Sequence, residues 1–190
     1  MAKRRVVLTG AAGYVAKPMF KELSERWDLV PIDVRPTTRD GRPALGVVVA
    51  DLTNPDWYGW AKAAYELLGF VFATGKVEGS KLEIVQWRIG GPRDDDIDQV
   101  KPGDIKVMHR ALGAYLSRRD QIQQATRMVE AEDIADEHGV PLLVVYGISG
   151  NTHRFWSIAN AREKIGYEPE DDSQINFADK IAAIARAAKR

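Results

Sequence analysis

Val6-Val7-Leu8-Thr9-Gly10-Ala11-Ala12-Gly13-Tyr14-Val15-Ala16 is the stretch that decides the architecture. Three apolar residues run into a threonine and a glycine, which reads as a short buried strand ending in a tight turn. From Gly13 to about Arg26 the apolar positions Val15, Met19, Phe20 and Leu23 recur at helical spacing, with Pro18 in the early turns where a missing N–H costs least. Between strand and helix lies Gly10-x-x-Gly13-x-x-Ala16. Gly10 permits the turn, Gly13 lets backbone approach a diphosphate, and the small side chain at 16 lets helix and strand pack closely. Backbone N–H groups at the start of the helix then face the phosphates.

The next strand, Leu29 to Asp33, ends in a carboxylate 20 residues beyond Gly13. That is the separation expected for an acid that accepts from a ribose 2′-hydroxyl. A 2′-phosphate would be repelled there, so NAD is the expected cofactor, although Arg35 stands close enough to accommodate such a phosphate. Pro36 to Pro43 is a polar loop, and a third strand is expected from Gly46 to Leu52. The residues expected to meet the cofactor at the turn are Gly10, Ala12, Gly13, Tyr14 and Val15, with Asp33 on the ribose.

Beyond this half the pattern changes. Tyr58 to about Thr74 reads as an apolar helix and Leu82 to Ile89 as a strand, followed by a loop rich in Gly, Pro and Asp. Helices are expected at Ile105 to Tyr115 and Arg119 to His138, a strand at Pro141 to Ile148, and helices at Asn160 to Ile165 and Phe177 to Lys189. Tyr58 and Lys62 are spaced i, i+4 and share a helix face. An adjacent ammonium favours phenolate, which suits a tyrosine that moves protons.

Composition bounds the rest. The 190 residues suit one domain, taken as 1–190 with a dinucleotide half at 1–56 and the remainder at 57–190. There is no cysteine, and 27 basic residues balance 27 acidic ones. Nothing in that balance calls for nucleic acid. No stretch is long and apolar enough for a membrane span, and the basic start before Val6 lacks a signal-like apolar run. A cytoplasmic location is expected. His109 and His153 lack metal-ligand spacing, so no metal site is expected. Asp94-Asp95-Asp96 reads as a solvated loop, and Trp57, Trp60, Trp87 and Trp156 as core or interface residues.

With the glycine turn and Tyr58-Gly59-Trp60-Ala61-Lys62 in place, the chain resembles the extended short-chain dehydrogenase/reductases, the NAD-dependent epimerase/dehydratase group, and within it the uronate dehydrogenases. Further segments carry the likeness: Asp51-Leu52, Arg88-Ile89-Gly90, the Arg110 to Ser117 segment, Tyr146-Gly147-Ile148-Ser149 and Ile165-Gly166-Tyr167-Glu168-Pro169. The resemblance implies a Rossmann-type three-layer α/β sandwich, here with a reduced, mainly parallel sheet of about five strands. It implies NAD contacts from Asp51, Leu52 and Ile89, catalysis by Tyr58 with Lys62 (both also touching the cofactor), and a carboxylate grip by Arg110 that has an exposed helix arginine as its alternative. The substrate implied is a sugar or sugar acid, and the assembly a homodimer. The apolar stripe Ala61, Ala64, Tyr65, Leu68 and Phe72 serves either that dimer face or packing on the sheet.

One departure stands out. Six residues separate Asp51 from Tyr58, where the family places two strand–helix units, one carrying the catalytic serine. Without them the first strand lacks its usual neighbour, and a bare apolar edge invites pairing. The strand at Leu82 to Ile89 is therefore expected beside Val6 to Thr9, giving the order 3-2-1 followed by the two late strands. Two functions follow: an oxidoreductase of the uronate dehydrogenase or epimerase type, impaired by loss of the serine segment, or a non-catalytic NAD-binding sensor or scaffold.

Overall fold

The computed structural model of the chain describes residues 3–38, 41–43, 46–49, 58–77 and 81–188. It divides into two compact units, Met1–Ile84 and Val85–Arg190.

In the first unit β1 (Arg5–Thr9) pairs in parallel with β2 (Asp28–Asp33), from Arg5 opposite Asp28 to Thr9 opposite Ile32. β2 pairs in parallel with β3 (Val48–Val49), Ile32 opposite Val48. Pro31 brings no N–H to the ladder, and pairing with β3 starts only at the residue after it. α1 (Lys17–Arg26) links β1 to β2 and buries Ala16, Met19 and Leu23. It begins four residues later than the apolar spacing suggests. Pro18 lies in its first turn, where a proline is tolerated because the missing N–H has no helical partner there. Residues 10–16 form the turn instead. α2 (Tyr58–Ala73) completes the unit.

The second unit holds β4 (Ile84–Ile89) and β5 (Leu142–Gly147), which pair with each other. Its helices are α3 (Ile105–Ala114), α4 (Arg118–Glu130), α5 (Ala159–Ile165), α6 (Ser173–Asn176) and α7 (Ala178–Ala187). α4 stops eight residues short of the expected His138. Beyond Ala131, Asp133 accepts from the Ala135 N–H, and Asp136 accepts from the N–H groups of His138 and Val140. Such short acidic side chains offer the backbone a turn in place of a helix.

The five described strands therefore form two sheets, β1-β2-β3 and β4-β5. The expectation that the 82–89 strand lies beside Val6–Thr9 is corrected: it runs with β5. Side-chain packing holds β4 to β5. Val85 and Trp87 of β4, both partly buried, lie against the buried cluster of Val145, Ile148, Ile158, Ala161, Ile165 and Tyr167. The indole Nε1 of Trp87 donates to Gln124 Oε1 at 3.0 Å, and Trp87 fills the space a side chain at Gly147 would need.

β1 is less covered than its Val-Val-Leu run suggests: Val7 is 58% exposed, whereas a parallel strand is normally buried on both faces. The larger apolar clusters belong to the second unit, where Ile97, Val100, Met108, Leu112 and Ile184 form another.

Acidic side chains fasten the end of the second unit. Asp172 caps α6 through the Gln174 N–H at 2.9 Å and accepts from both the N–H (3.1 Å) and the hydroxyl of Thr152. Burial alone would raise its pKa, but these donors together hold it below the ordinary carboxylate value. A carboxylate depressed in the folded state stabilises fully above its unfolded pKa and loses that contribution as pH falls through its folded one. Asp172→Asn is therefore expected to be less stable than the parent at pH 7, with the gap closing below about pH 3. Urea unfolding at both pH values checks this, and a gap that stays constant would contradict it.

Candidate dinucleotide site

The glycine turn is built from the backbone outward. Gly10 adopts φ +68°, which a side chain resists. Gly13 N–H donates back to the Gly10 carbonyl at 2.9 Å, and the same oxygen stands 2.9 Å from where a Gly13 Cβ would lie. The turn thus closes only around glycine. Ala11 N–H donates to the Ile32 carbonyl at 3.1 Å, extending the β1–β2 ladder by one residue. Ala11 and Ala12 are buried beneath it.

Asp33, at the end of β2, completes the arrangement. Its Oδ2 accepts from the Ala12 N–H at 3.0 Å, and its Oδ1 from the Arg35 N–H at 3.2 Å. A cavity of about 370 Å³ opens here, lined by Ala12, Gly13, Tyr14, Asp33, Arg35 and Thr37. Carboxylate oxygens keep further lone pairs after one hydrogen bond each, so Asp33 can still accept from a hydroxyl pair. A glycine cradle that a Cβ would fill, beside a carboxylate with spare acceptor capacity, fits the adenosine diphosphate end of a dinucleotide.

Five of the six turn and ribose residues expected from sequence, Gly10, Ala12, Gly13, Tyr14 and Asp33, belong to this arrangement, and Val15 continues the turn toward α1. Asp51 and Leu52 lie outside the described residues, as does the side chain of Tyr58. Lys62 is exposed on α2. Thr37 was not singled out by its sequence context. It lines the cavity because the loop folds back on itself, with Thr37 bridged to Pro43 and Thr38 N–H donating to Arg42 O at 2.8 Å. The glycine and two prolines of residues 36–43 are the signal for such a turn.

Ile89 and Arg110 lie in the second unit. Ile89 ends β4, and Gly90 N–H beyond it donates to the Gly147 carbonyl at 2.9 Å. Arg110 is exposed on α3. Gly113, one turn along, admits the Phe155 ring, whose edge would lie 2.7 Å from a Cβ there. His109 meets His153 edge-on with ring centres 6.3 Å apart. Trp156 stacks on Tyr146 at 5.3 Å, and Arg88 donates to the Tyr146 hydroxyl at 3.0 Å. Trp156 is thus a partly exposed surface aromatic, 37% accessible, rather than a core residue. Among the described residues no group of acidic or histidine side chains is arranged to hold a metal ion.

A glycine turn joining two parallel strands, with an acid at the tip of the second, defines a Rossmann-type α/β fold. The comparisons with known proteins agree. The chain is similar to the uronate dehydrogenase of Agrobacterium tumefaciens, with a TM-score of 0.65 and 17% identity over 96% of this chain and 90% of that one. A tyrosine-to-alanine variant of that enzyme in complex with NAD gives 0.65 and 16%, over 95% and 89%. In sequence the chain is 32% identical over 116 residues to the NAD-dependent glucose-6-phosphate dehydrogenase of Haloferax volcanii, a match covering 61% of this chain. It spans 37% of that relative's length. No protein-family profile matches. The resemblance to the extended short-chain dehydrogenase/reductases is borne out at the level of the fold. No described helix is long and apolar enough to cross a membrane.

Proposed function

We propose that the chain binds NAD at the Gly10–Gly13 turn and Asp33, and that it acts as an NAD-dependent oxidoreductase on a sugar or sugar acid. The observation that carries this is the cavity whose floor is the Ala12 N–H held by Asp33 Oδ2 at 3.0 Å. NAD, when bound, supplies a hydride acceptor. Tyr58 moves the hydroxyl proton of the substrate. Lys62, one turn along α2, holds the nicotinamide ribose beside it. Arg110 grips a carboxylate through its planar fork. Arg110 is exposed on α3. Asp51, Leu52 and Ile89 complete the cofactor contacts. The single-domain organisation over 1–190, the cytoplasmic setting and a homodimer belong to the same proposal. Of the described residues of the expected stripe only Leu68 is exposed, with Ala64, Tyr65 and Phe72 half-buried, and Leu67 and Phe70 beside the stripe are exposed too.

The six-residue interval between Asp51 and Tyr58 favours a second reading, a sensor or scaffold that keeps the dinucleotide site without turnover. Calorimetric titration with NAD and an NADH-formation assay on glucuronate and galacturonate separate the two. Binding with turnover that is lost in Tyr58→Phe supports the enzyme. Binding without turnover supports the sensor, and no binding removes both.

A further inference from the structure

A second cavity, of about 790 Å³, opens in the first unit at the other end of the strands from the glycine turn. The turn follows Thr9 and Asp33 lies beside it, the last residues of β1 and β2, whereas this cavity is lined by Arg5 and Asp28, their first. Strands of this length set the two places about 15 Å apart. The volume suits a small organic molecule. The wall is apolar: Phe20 comes from α1, Leu29 and Pro31 from one face of β2, and Trp27 from the junction between them. Phe20 and Trp27 are only half-buried, so aromatic surface is left uncovered there.

The rim supplies donors. Lys3 Nζ donates to the Glu25 carbonyl at 2.6 Å, in the last turn of α1, and Arg5 Nε donates to Asp28 Oδ2 at 2.8 Å. These bonds brace both side chains and use one N–H of each. The remaining N–H groups of the Lys3 ammonium and both Nη groups of Arg5 have no partner among the described residues, and neither has the indole N–H of Trp27. Lys3 and Arg5 together outweigh Asp28, so the lining carries an excess of positive charge. A guanidinium and an ammonium beside an aromatic wall match an anion carried on a ring. We propose that this cavity is a second ligand site, separate from the dinucleotide site, and that it takes an aromatic carboxylate. The ring lies against Phe20 and Trp27, and the carboxylate accepts from Arg5 and Lys3, with the Trp27 indole as a further donor. The proposal stands independently of dinucleotide binding.

Titration of the full chain with 2-naphthoate, followed by calorimetry and by the indole N–H signals in heteronuclear spectra, tests it. The probe is expected to bind with a dissociation constant below about 1 mM and to shift the Trp27 indole signal, assigned by its loss in Trp27→Phe. 2-Naphthamide, the same ring without the charge, is expected to bind at least about fivefold more weakly to the unaltered chain, a comparison that depends on no variant folding. Arg5→Gln is expected to weaken 2-naphthoate by at least about fivefold. Its melting curve should stay unchanged, because the only ion pair it loses is exposed. Gly13→Val, which disrupts the glycine turn, is expected to leave 2-naphthoate affinity within about twofold of the parent. Equal affinity for the two probes overturns the proposal, as does an unshifted Trp27 indole at about 5 mM probe. A loss of 2-naphthoate binding in Gly13→Val overturns it too, since the probe would then be seated at the turn.

Discussion

Gly13→Val is expected to weaken NAD binding by at least about 100-fold while leaving the chain folded, a loss worth about 3 kcal/mol. A Cβ at position 13 would lie 2.9 Å from the Gly10 carbonyl oxygen, which is the acceptor for the residue's own N–H. Backbone atoms cannot swing aside as a long side chain can, so the turn has to open. Opening it moves Ala12, whose N–H is held by Asp33 Oδ2, and so displaces the ribose acceptor together with the cradle. Each charge-assisted hydrogen bond lost is worth about 1.5–3 kcal/mol, and two suffice for the predicted effect. Gly10→Ala provides the contrast. Position 10 has φ +68° but nothing within 4 Å of an added Cβ, so the substitution strains the backbone without filling the cradle. It is expected to cost about 1–2 kcal/mol of stability and proportionately less binding. Calorimetric titration with circular dichroism on both variants distinguishes these effects. NAD affinity in Gly13→Val within about threefold of the parent would show that the turn does not form the diphosphate cradle.

The residues that made the first unit legible act locally. Gly10, Gly13 and Asp33 are set by one turn and one strand, and the N–H groups they organise lie within two dozen residues of each other. Local chemistry of this kind survives in the sequence as spacing. The pairing of β4 was legible in part. The expected order set the two late strands side by side, as they are, but the rule about bare edges also set β4 beside β1, with which it shares no sheet. Trp87 meets Gln124 and Gly147, 37 and 60 positions away, contacts which no spacing announces. Pro18 was legible as a tolerated proline of an early helical turn, although the helix starts at Lys17 and not at Gly13. Asp133 and Asp136 looked like part of a polar helix because charge alone does not separate a helix face from a turn. The contacts of His109 with His153 and of Gly113 with Phe155 join α3 to a loop some 40 residues on, and neither carried a signal in the sequence.

The most consequential residue that sequence inspection passed over is Asp120, and its removal is expected to have the largest effect on stability. Asp120 is fully buried near the start of α4. Its Oδ1 accepts from the Glu170 N–H at 3.0 Å and from Arg119 Nη2 at 3.2 Å, and its Oδ2 accepts from the Asp171 N–H at 3.1 Å. Arg119 reaches on to Glu170 at 2.6 Å and to Asp171 at 3.2 Å. One carboxylate therefore ties α4 to the segment 50 residues later that leads into α6. The charge is tolerable inside only because donors surround it. Asp120→Ala would strand two backbone N–H groups and leave Arg119 with its exposed partners alone. Removing one partner of a buried, hydrogen-bonded charge costs about 3–5 kcal/mol. Asp120→Asn keeps one acceptor but turns an NH₂ toward a backbone donor, so about 1–3 kcal/mol is expected. Arg119→Ala should cost less than either, because that side chain is 48% exposed and its ion pairs are screened by water. Denaturant unfolding of the three variants is expected to rank Asp120→Ala as the most destabilised, Asp120→Asn next and Arg119→Ala as the mildest. A loss below about 1 kcal/mol in Asp120→Ala would mean that the 168–173 segment is held by its apolar contacts, with the buried carboxylate only following.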